Sequence, residues 1–122
     1  MKKTTQLKEL ISANEILVMP GAYDCLSAIM IQNTGFKAVQ MSGYGFAACL
    51  LGQPDCGLLT FTEVLNHTRN IVRAVDIPVM ADGDTGYGNV VNVVRTVQEF
   101  EEAGCAGDVY KRQVDHSSGR KL

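Results

Sequence analysis

Two aspartates, Asp82 and Asp84, stand one residue apart at the end of the apolar run IPVMAD, within the glycine-rich stretch MADGDTGYGN. Carboxylates at i and i+2 can both turn toward one hard divalent cation, and Mg2+ favours such sparse ligation, by one or two carboxylates plus water and substrate oxygens. A second stretch, Ser42-Gly43-Tyr44-Gly45, offers backbone N–H groups that the glycines leave open to a carboxylate or phosphate. Together these would hold the two ends of a small dianion. The same residues also suit a solvated turn, because Asp, Thr and Gly are common turn formers. An EF-hand fits less well: Asp82 follows a strand, and the twelfth position counted from it is Val93 where a bidentate glutamate belongs. No G-x-G-x-x-G follows the first strand and no G-x-x-x-x-G-K occurs, so the glycines do not form a nucleotide fingerprint.

Loops of this kind need elements that hold them in place. Residues 5–13 predict a first helix, followed by EILVMPG, a short strand-like run that ends at Pro20 and Gly21. In YDCLSAIMIQNTG, Asp24 can cap a second helix and Gly35 can stop it. FKAVQMSG is the second strand. In TFTEVLNHTRNIVRAV, Thr60 and Glu63 have capping-box spacing, and Val64, Leu65, Thr68, Ile71, Val72 and Val75 share one helical face. IPVMAD is the third strand, apolar throughout like a parallel strand covered on both faces. NVVNVVRTVQEFEEAG predicts a helix that buries Val90, Val93, Val94, Val97 and Phe100 and ends at Gly104. Strand and helix alternate without a hairpin signal, which predicts consecutive βα units. Ligands gather at the carboxyl ends of such strands, and there the chain carries Pro20 and Gly21, Ser42 to Gly45, and Asp82 with Asp84.

The bulk composition narrows the classes. With 122 residues, 46% hydrophobic, 20% charged and a net charge of -2, the chain reads as one globular domain, with no basic stripe for nucleic acid. The first twenty-one residues hold no apolar run long enough for a signal peptide or membrane span, so a cytoplasmic location is expected. Cys25, Cys49, Cys56 and Cys105 are widely spaced with no C-x-x-C, which predicts reduced thiols and neither a zinc knuckle nor a redox pair. Cys105 is expected as a small buried hydrophobe, and Cys56 has no base partner nearby in the sequence. His67, between Val64 and Ile71 on a helix, is expected to be a partly packed side chain, not a base. Tyr87 either walls the metal site or covers the top of the sheet.

The stretch PGAYDCLSAIM and the long run from MSGYG through LGQPD and MADGDTGYGN to EEAGCAG resemble the first half of the isocitrate lyase and phosphoenolpyruvate mutase superfamily. The branch is that of methylisocitrate lyases, phosphonopyruvate-forming mutases, carboxyvinyl-carboxyphosphonate phosphorylmutases and oxaloacetate decarboxylases. The resemblance covers residues 16–107 and rests on spaced motifs in the family's order. It implies an α/β fold, the first half of a (β/α)8 TIM-type barrel with parallel strands alternating with helices. It also implies a homotetrameric parent whose subunits exchange a C-terminal helix, with Mg2+ or Mn2+ as cofactor. By position, Asp82 and Asp84 would hold the metal, and Asp55 of LGQPD would act on the metal's water shell or the reacting group. Ser42, Gly43 and Tyr44 would cradle the substrate carboxylate. The implied reaction is C–C or P–C cleavage of a small 2-oxo or 2-hydroxy di- or tricarboxylate through a pyruvate-enolate-like intermediate, whose charge a divalent cation stabilises as it develops. The implied partner is that small anionic acid, with neither nucleic acid nor membrane.

Two departures stand out. Gln40 occupies a position where methylisocitrate lyases usually carry an aromatic residue. After EEAGCAG the family continues with a strand of the type I-H-I-E-D-Q and a K-K-C-G-H-like loop, which supply a metal-shell Glu and the Lys and Cys of the lyase chemistry. Here the text is DVYKRQVDHSSGRKL, with Lys111 where the Glu belongs and His116 beyond it. That segment lacks the apolar run of a central barrel strand, and a whole barrel takes about 200 residues or more. The expectation is therefore a partial barrel over residues 1–107 with its C-terminal half absent and an open sheet edge. Residues 108–122 are expected to be a non-family tail of foreign or mis-assembled sequence, on a chain that is itself inactive. The alternative is a non-catalytic, degenerate barrel half that binds a ligand or partner. Clustered Asp55, Asp82 and Asp84 favour an enzyme parent, since carboxylates held together repel one another without a cation.

Overall fold

The computed structural model describes residues 1–110, so Lys111, His116 and most of the expected tail lie outside the described residues. Helix α1, Lys3–Ser12, leads through an extended segment to β1, Gly21–Ala22. Then follow α2 (Cys25–Asn33), β2 (Val39–Met41), α3 (Gly43–Phe46) with a π-helical turn (Ala47–Leu51), α4 (Phe61–Ala74), β3 (Val79–Asp82), α5 (Val90–Glu102) and β4 (Gly107–Val109). Among the described residues no helix is long and apolar enough to cross a membrane.

The strands form one sheet in the order β1-β2-β3-β4. All pairs are parallel, with Gly21 opposite Gln40, Val39 opposite Val79, and Asp82 opposite Val109. Each strand lies beside its sequence neighbour, as in a barrel. The order never reverses, as it would at the switch point of a doubly wound sheet. Because strand side chains alternate between faces, Val39, Met41, Val79 and Ala81 pack with Val64, Leu65, Ile71 and Phe100 of the helices, in one cluster. Met80 lies on the other face, where Leu7 of α1 covers it together with Ala38 and Ala106. Lys3 Nζ also donates to the Val75 carbonyl (2.8 Å), placing a cation at the carboxyl end of α4.

Local signals set the helix ends. Asp24 accepts the Ser27 N–H at 2.7 Å and Ser27 returns a bond to the Asp24 backbone, starting α2. Gly35 follows at φ 99°, as the stop signal predicts. The Thr60 and Glu63 box caps α4 from both sides, and Val64, Leu65, Thr68, Ile71 and Val75 are buried on the expected face.

Two expectations are corrected. EILVMPG is extended but enters the sheet only at Gly21, because β2 opposite it is three residues long; Ile16 and Val18 face outward while Leu17 and Met19 pack inward. On α5 the buried face is rotated from the one the valines suggest. Thr96 and Phe100 are buried, whereas Val90, Val94 and Val97 are 81%, 56% and 43% exposed. The phase of α5 is set by specific anchors. Asn89 caps the helix through the Val91 and Asn92 N–H groups, the Thr96 hydroxyl donates to the Gly86 carbonyl at 2.9 Å, and Phe100 meets Phe61 edge-on at 5.4 Å. On its other flank Glu99 pairs with Arg69 of α4 at 3.2 Å. β4 pairs with β3 alone among the described residues, leaving its far side as the sheet edge.

Candidate active site

Asp82 is the last residue of β3 and is 8% exposed. A carboxylate so placed needs polar partners, and its Oδ1 accepts the N–H of Asp84 at 2.9 Å. This turn, closed by Gly86 N–H to the Gly83 carbonyl at 2.8 Å, brings both carboxylates to the same end of the strand. Asp84 and Tyr87 both adopt left-handed backbone, at φ 49° and 58°. Thr96, buried in α5, ties the turn down through Gly86.

At the neighbouring strand end, Ser42 caps α3 by accepting the Gly45 N–H at 3.0 Å. The N–H groups of Gly43 and Tyr44 then fall in the first helical turn, where no intrahelical acceptor exists. Gly43 keeps the space beside Asp82 open: a Cβ there would sit 3.3 Å from Asp82 Oδ2, a tight contact. The π-helical turn after α3 carries the chain outward and ends at Gly52, beyond which Asp55 is reached. Ser42→Ala is expected to cost about 1 kcal/mol of stability through loss of this cap, measured by urea unfolding.

Gly43, Asp55, Asp82, Asp84 and Tyr87 line one cavity of about 40 Å3, floored by Ala47, Leu59 and Val64. By the usual minimum per water, this is room for about three water-sized groups. Ser42 and Tyr44 are not part of its lining. The Ser42 hydroxyl is turned to its cap, and the Tyr44 ring is 67% exposed. Of the candidate residues, the fold thus gathers the three aspartates with Gly43 and leaves two side chains at the margin.

Among the described residues, no three His, Cys, Asp or Glu side chains are grouped closely enough to hold a metal by themselves. The donor set instead fits a hard cation that takes only two carboxylates and completes its shell with water and ligand oxygens. Its oxygen-only chemistry and the side-chain-free Gly43 beside Asp82 suit a cation such as Mg2+ or Mn2+, which Asp82 and Asp84 could hold.

Two further residues shape the field. Burial, followed by the charges of Asp84, Asp82, Asp108 and Asp55, pushes the Tyr87 phenol well above its ordinary range. The phenol therefore keeps its proton and can donate a hydrogen bond to an oxyanion. Of the two roles open to Tyr87, the structure gives it that of a cavity wall. Asp108 was not singled out at all. It pairs across the sheet with Ala81, lies under Gly83, and its Oδ1 is buried with no hydrogen-bond partner among the described residues. Burial raises its pKa, with Asp82 adding, while the Gly83 and Val109 N–H groups oppose the shift in part.

The other candidates keep structural roles. The His67 Nε2–H donates to the Tyr23 carbonyl at 2.7 Å and the ring stands edge-on to Phe46 at 4.5 Å, so it joins α4 to the loops after β1 and β2. All four cysteines are free thiols, and burial pushes buried Cys105 up to about 12.

Comparison with known proteins agrees with this architecture. The family model described as phosphoenolpyruvate phosphomutase matches residues 7–111. A 2,3-dimethylmalate lyase of Eubacterium barkeri is 46% identical over 127 residues, covering 100% of this chain and 44% of that protein. A chloroplastic carboxyvinyl-carboxyphosphonate phosphorylmutase of Arabidopsis thaliana is 42% identical, over 97% of this chain and 37% of its own length. The crystal structure of a phosphonopyruvate hydrolase in complex with oxalate and Mg++ superposes with a TM-score of 0.91 at 30% identity, covering 100% of this chain and 43% of that one. The chain thus spans less than half the length of these relatives. With a family model covering most of its residues, a parallel sheet in barrel order and its aspartates at the strand ends, the chain belongs to the phosphoenolpyruvate phosphomutase family of the isocitrate lyase superfamily.

Proposed function

We propose that this chain carries the metal- and carboxylate-binding end of a Mg2+-dependent lyase or mutase. Its substrate class is a small 2-oxo or 2-hydroxy di- or tricarboxylate, cleaved at a C–C or P–C bond through a pyruvate-enolate-like intermediate. The observation that carries this reading is the convergence of Asp55, Asp82, Asp84 and Gly43 on one cavity at the carboxyl ends of parallel strands. The names of the relatives add support: a 2,3-dimethylmalate lyase, a carboxyvinyl-carboxyphosphonate phosphorylmutase, and a phosphonopyruvate hydrolase crystallised with oxalate and Mg++.

Each residue has a distinct task in this reading. Asp82 and Asp84 would hold the cation, which when bound draws charge from the substrate's oxo and carboxylate oxygens. The turn preorganises Asp82 through the Asp84 N–H, so little reorganisation is needed on binding. Asp55, exposed at the cavity rim, is free to orient water or accept a proton from a substrate hydroxyl. The Gly43 and Tyr44 N–H groups would receive the substrate carboxylate, with the Ser42 hydroxyl retaining its own proton to donate. Neutral Tyr87 excludes water on the α4 side.

Binding is tested first. Mn2+ or Mg2+ at three times its Kd is expected to stabilise the fold by about 0.8 kcal/mol, seen as a raised melting midpoint. Asp82→Ala with Asp84→Ala should abolish the rise. Failure of the unmutated chain to respond would instead favour a non-catalytic barrel half. Turnover of 2-methylisocitrate, oxaloacetate or phosphonopyruvate, assayed with Mg2+, would distinguish lyase from mutase; of the 122-residue chain alone only binding is expected.

A further inference from the structure

The turn after Asp82 passes through left-handed backbone at two residues that carry side chains, Asp84 and Tyr87. Such residues persist there only where their surroundings hold them. Asp84 is held by its N–H bond to Asp82. Tyr87 is held by its ring. That ring lies 5.1 Å from Phe61 at an interplanar angle of 41°, and Phe61 in turn meets Phe100 edge-on at 5.4 Å. Phe100 is 1% exposed, and Phe61 is the first residue of α4, immediately after the Thr60 cap. The aromatic row therefore ties the turn to two helices whose positions are already fixed by the core. On its other side Tyr87 lines the cavity shared by Asp55, Asp82 and Asp84.

We propose that Tyr87 is a positioning residue: its ring, seated on Phe61, locks the 84–88 turn so that Asp84 stays at the cavity beside Asp82. The consequence for cation binding rests on the function proposed above. The conformational part does not. The contacts that hold Tyr87 belong to the ring, so phenylalanine should serve there for positioning. A residue without a ring should free the turn even though the strand and both helices remain.

The test combines amide hydrogen exchange with Mn2+ titration on the 122-residue chain and on Tyr87→Phe, Tyr87→Ala and Phe61→Leu. Tyr87→Phe should keep the exchange protection of residues 83–88 and bind Mn2+ within about twofold of the unmutated chain. Tyr87→Ala and Phe61→Leu should each speed exchange in that turn and weaken Mn2+ by roughly tenfold; in Tyr87→Ala the α4 and α5 amides should be unchanged, because Phe61 stays on Phe100. The two losses of Mn2+ affinity should not add in the double variant, because both substitutions remove the Tyr87–Phe61 contact. Unchanged exchange at 83–88 in Tyr87→Ala, exchange in that variant speeded equally over α4 and α5, or Mn2+ losses that add in the double variant would overturn the proposal. If the unmutated chain binds no Mn2+, the metal reading fails while the exchange pattern still decides the role of Tyr87. Should Tyr87→Ala not fold, Phe61→Leu gives the same decision with Tyr87 in place.

Discussion

Phe100→Ala is expected to destabilise the fold by about 3–5 kcal/mol, whereas Val94→Ala should change stability by no more than about 0.5 kcal/mol. Both residues lie on the helical face that the valine spacing marks as core. Only Phe100 is enclosed, at 1% exposure, against Phe61 and the sheet-facing cluster; Val94 is 56% exposed. Truncating Phe100 removes a ring's worth of apolar contact and leaves a cavity that the surrounding helices can only partly close. Against a typical total of about 5–15 kcal/mol, such a loss would leave a marginal fold. Urea unfolding midpoints of the two variants decide the matter. Equal losses would mean that α5 sits in the phase the valines suggest.

Asp108→Val is expected to do the opposite, stabilising the chain at neutral pH by about 1–3 kcal/mol. Asp108 is a strand residue whose Oδ1 is buried without a partner, close to Gly83 and repelled by Asp82. A β-branched apolar side chain suits a strand and removes the unpartnered Oδ1, while giving up the hydrogen bonds the carboxylate accepts from the Gly83 and Val109 N–H groups. The pH dependence has a definite sign. Burial raises the Asp108 pKa in the folded chain, so the folded state binds this proton more tightly than the unfolded state does. Its contribution is fully present below the unfolded value near 3.8 and is lost as pH rises through the higher folded value. The advantage of Asp108→Val should therefore be widest at pH 7 and narrow toward pH 4. Melting curves at the two pH values test this, and an advantage that does not change with pH would exclude the titrating carboxylate as its cause.

Asp108 also shows why part of the site was hidden in the chain. On the page it is one acidic residue in a charged, aperiodic stretch. Its burial arises only when β4 pairs with β3 and places it beside Ala81. Tyr87 is similar: MADGDTGYGN contains it, yet its role depends on Phe61 and Phe100, which are far away in sequence. The cavity likewise joins Asp55 to Asp82 across twenty-seven positions that no local pattern relates.

What the amino-acid sequence determined by itself is local. Capping pairs at Asp24 and at Thr60 with Glu63, the left-handed glycine at position 35, the apolar run of β3 and the alternation of strand with helix are all encoded within a few residues. Short-range hydrogen bonds and backbone sterics act over those distances, so the elements and the parallel order of the sheet were legible. The tertiary structure alone decided which face of α5 is buried, where β1 begins, and which side chains share the cavity. Those outcomes depend on contacts between residues distant in the chain: Thr96 on Gly86, Phe100 on Phe61, and Gly43 against Asp82. Five valines in a helix offer more than one apolar stripe of similar worth. A buried hydroxyl bond and an aromatic contact, available in only one phase, choose between them.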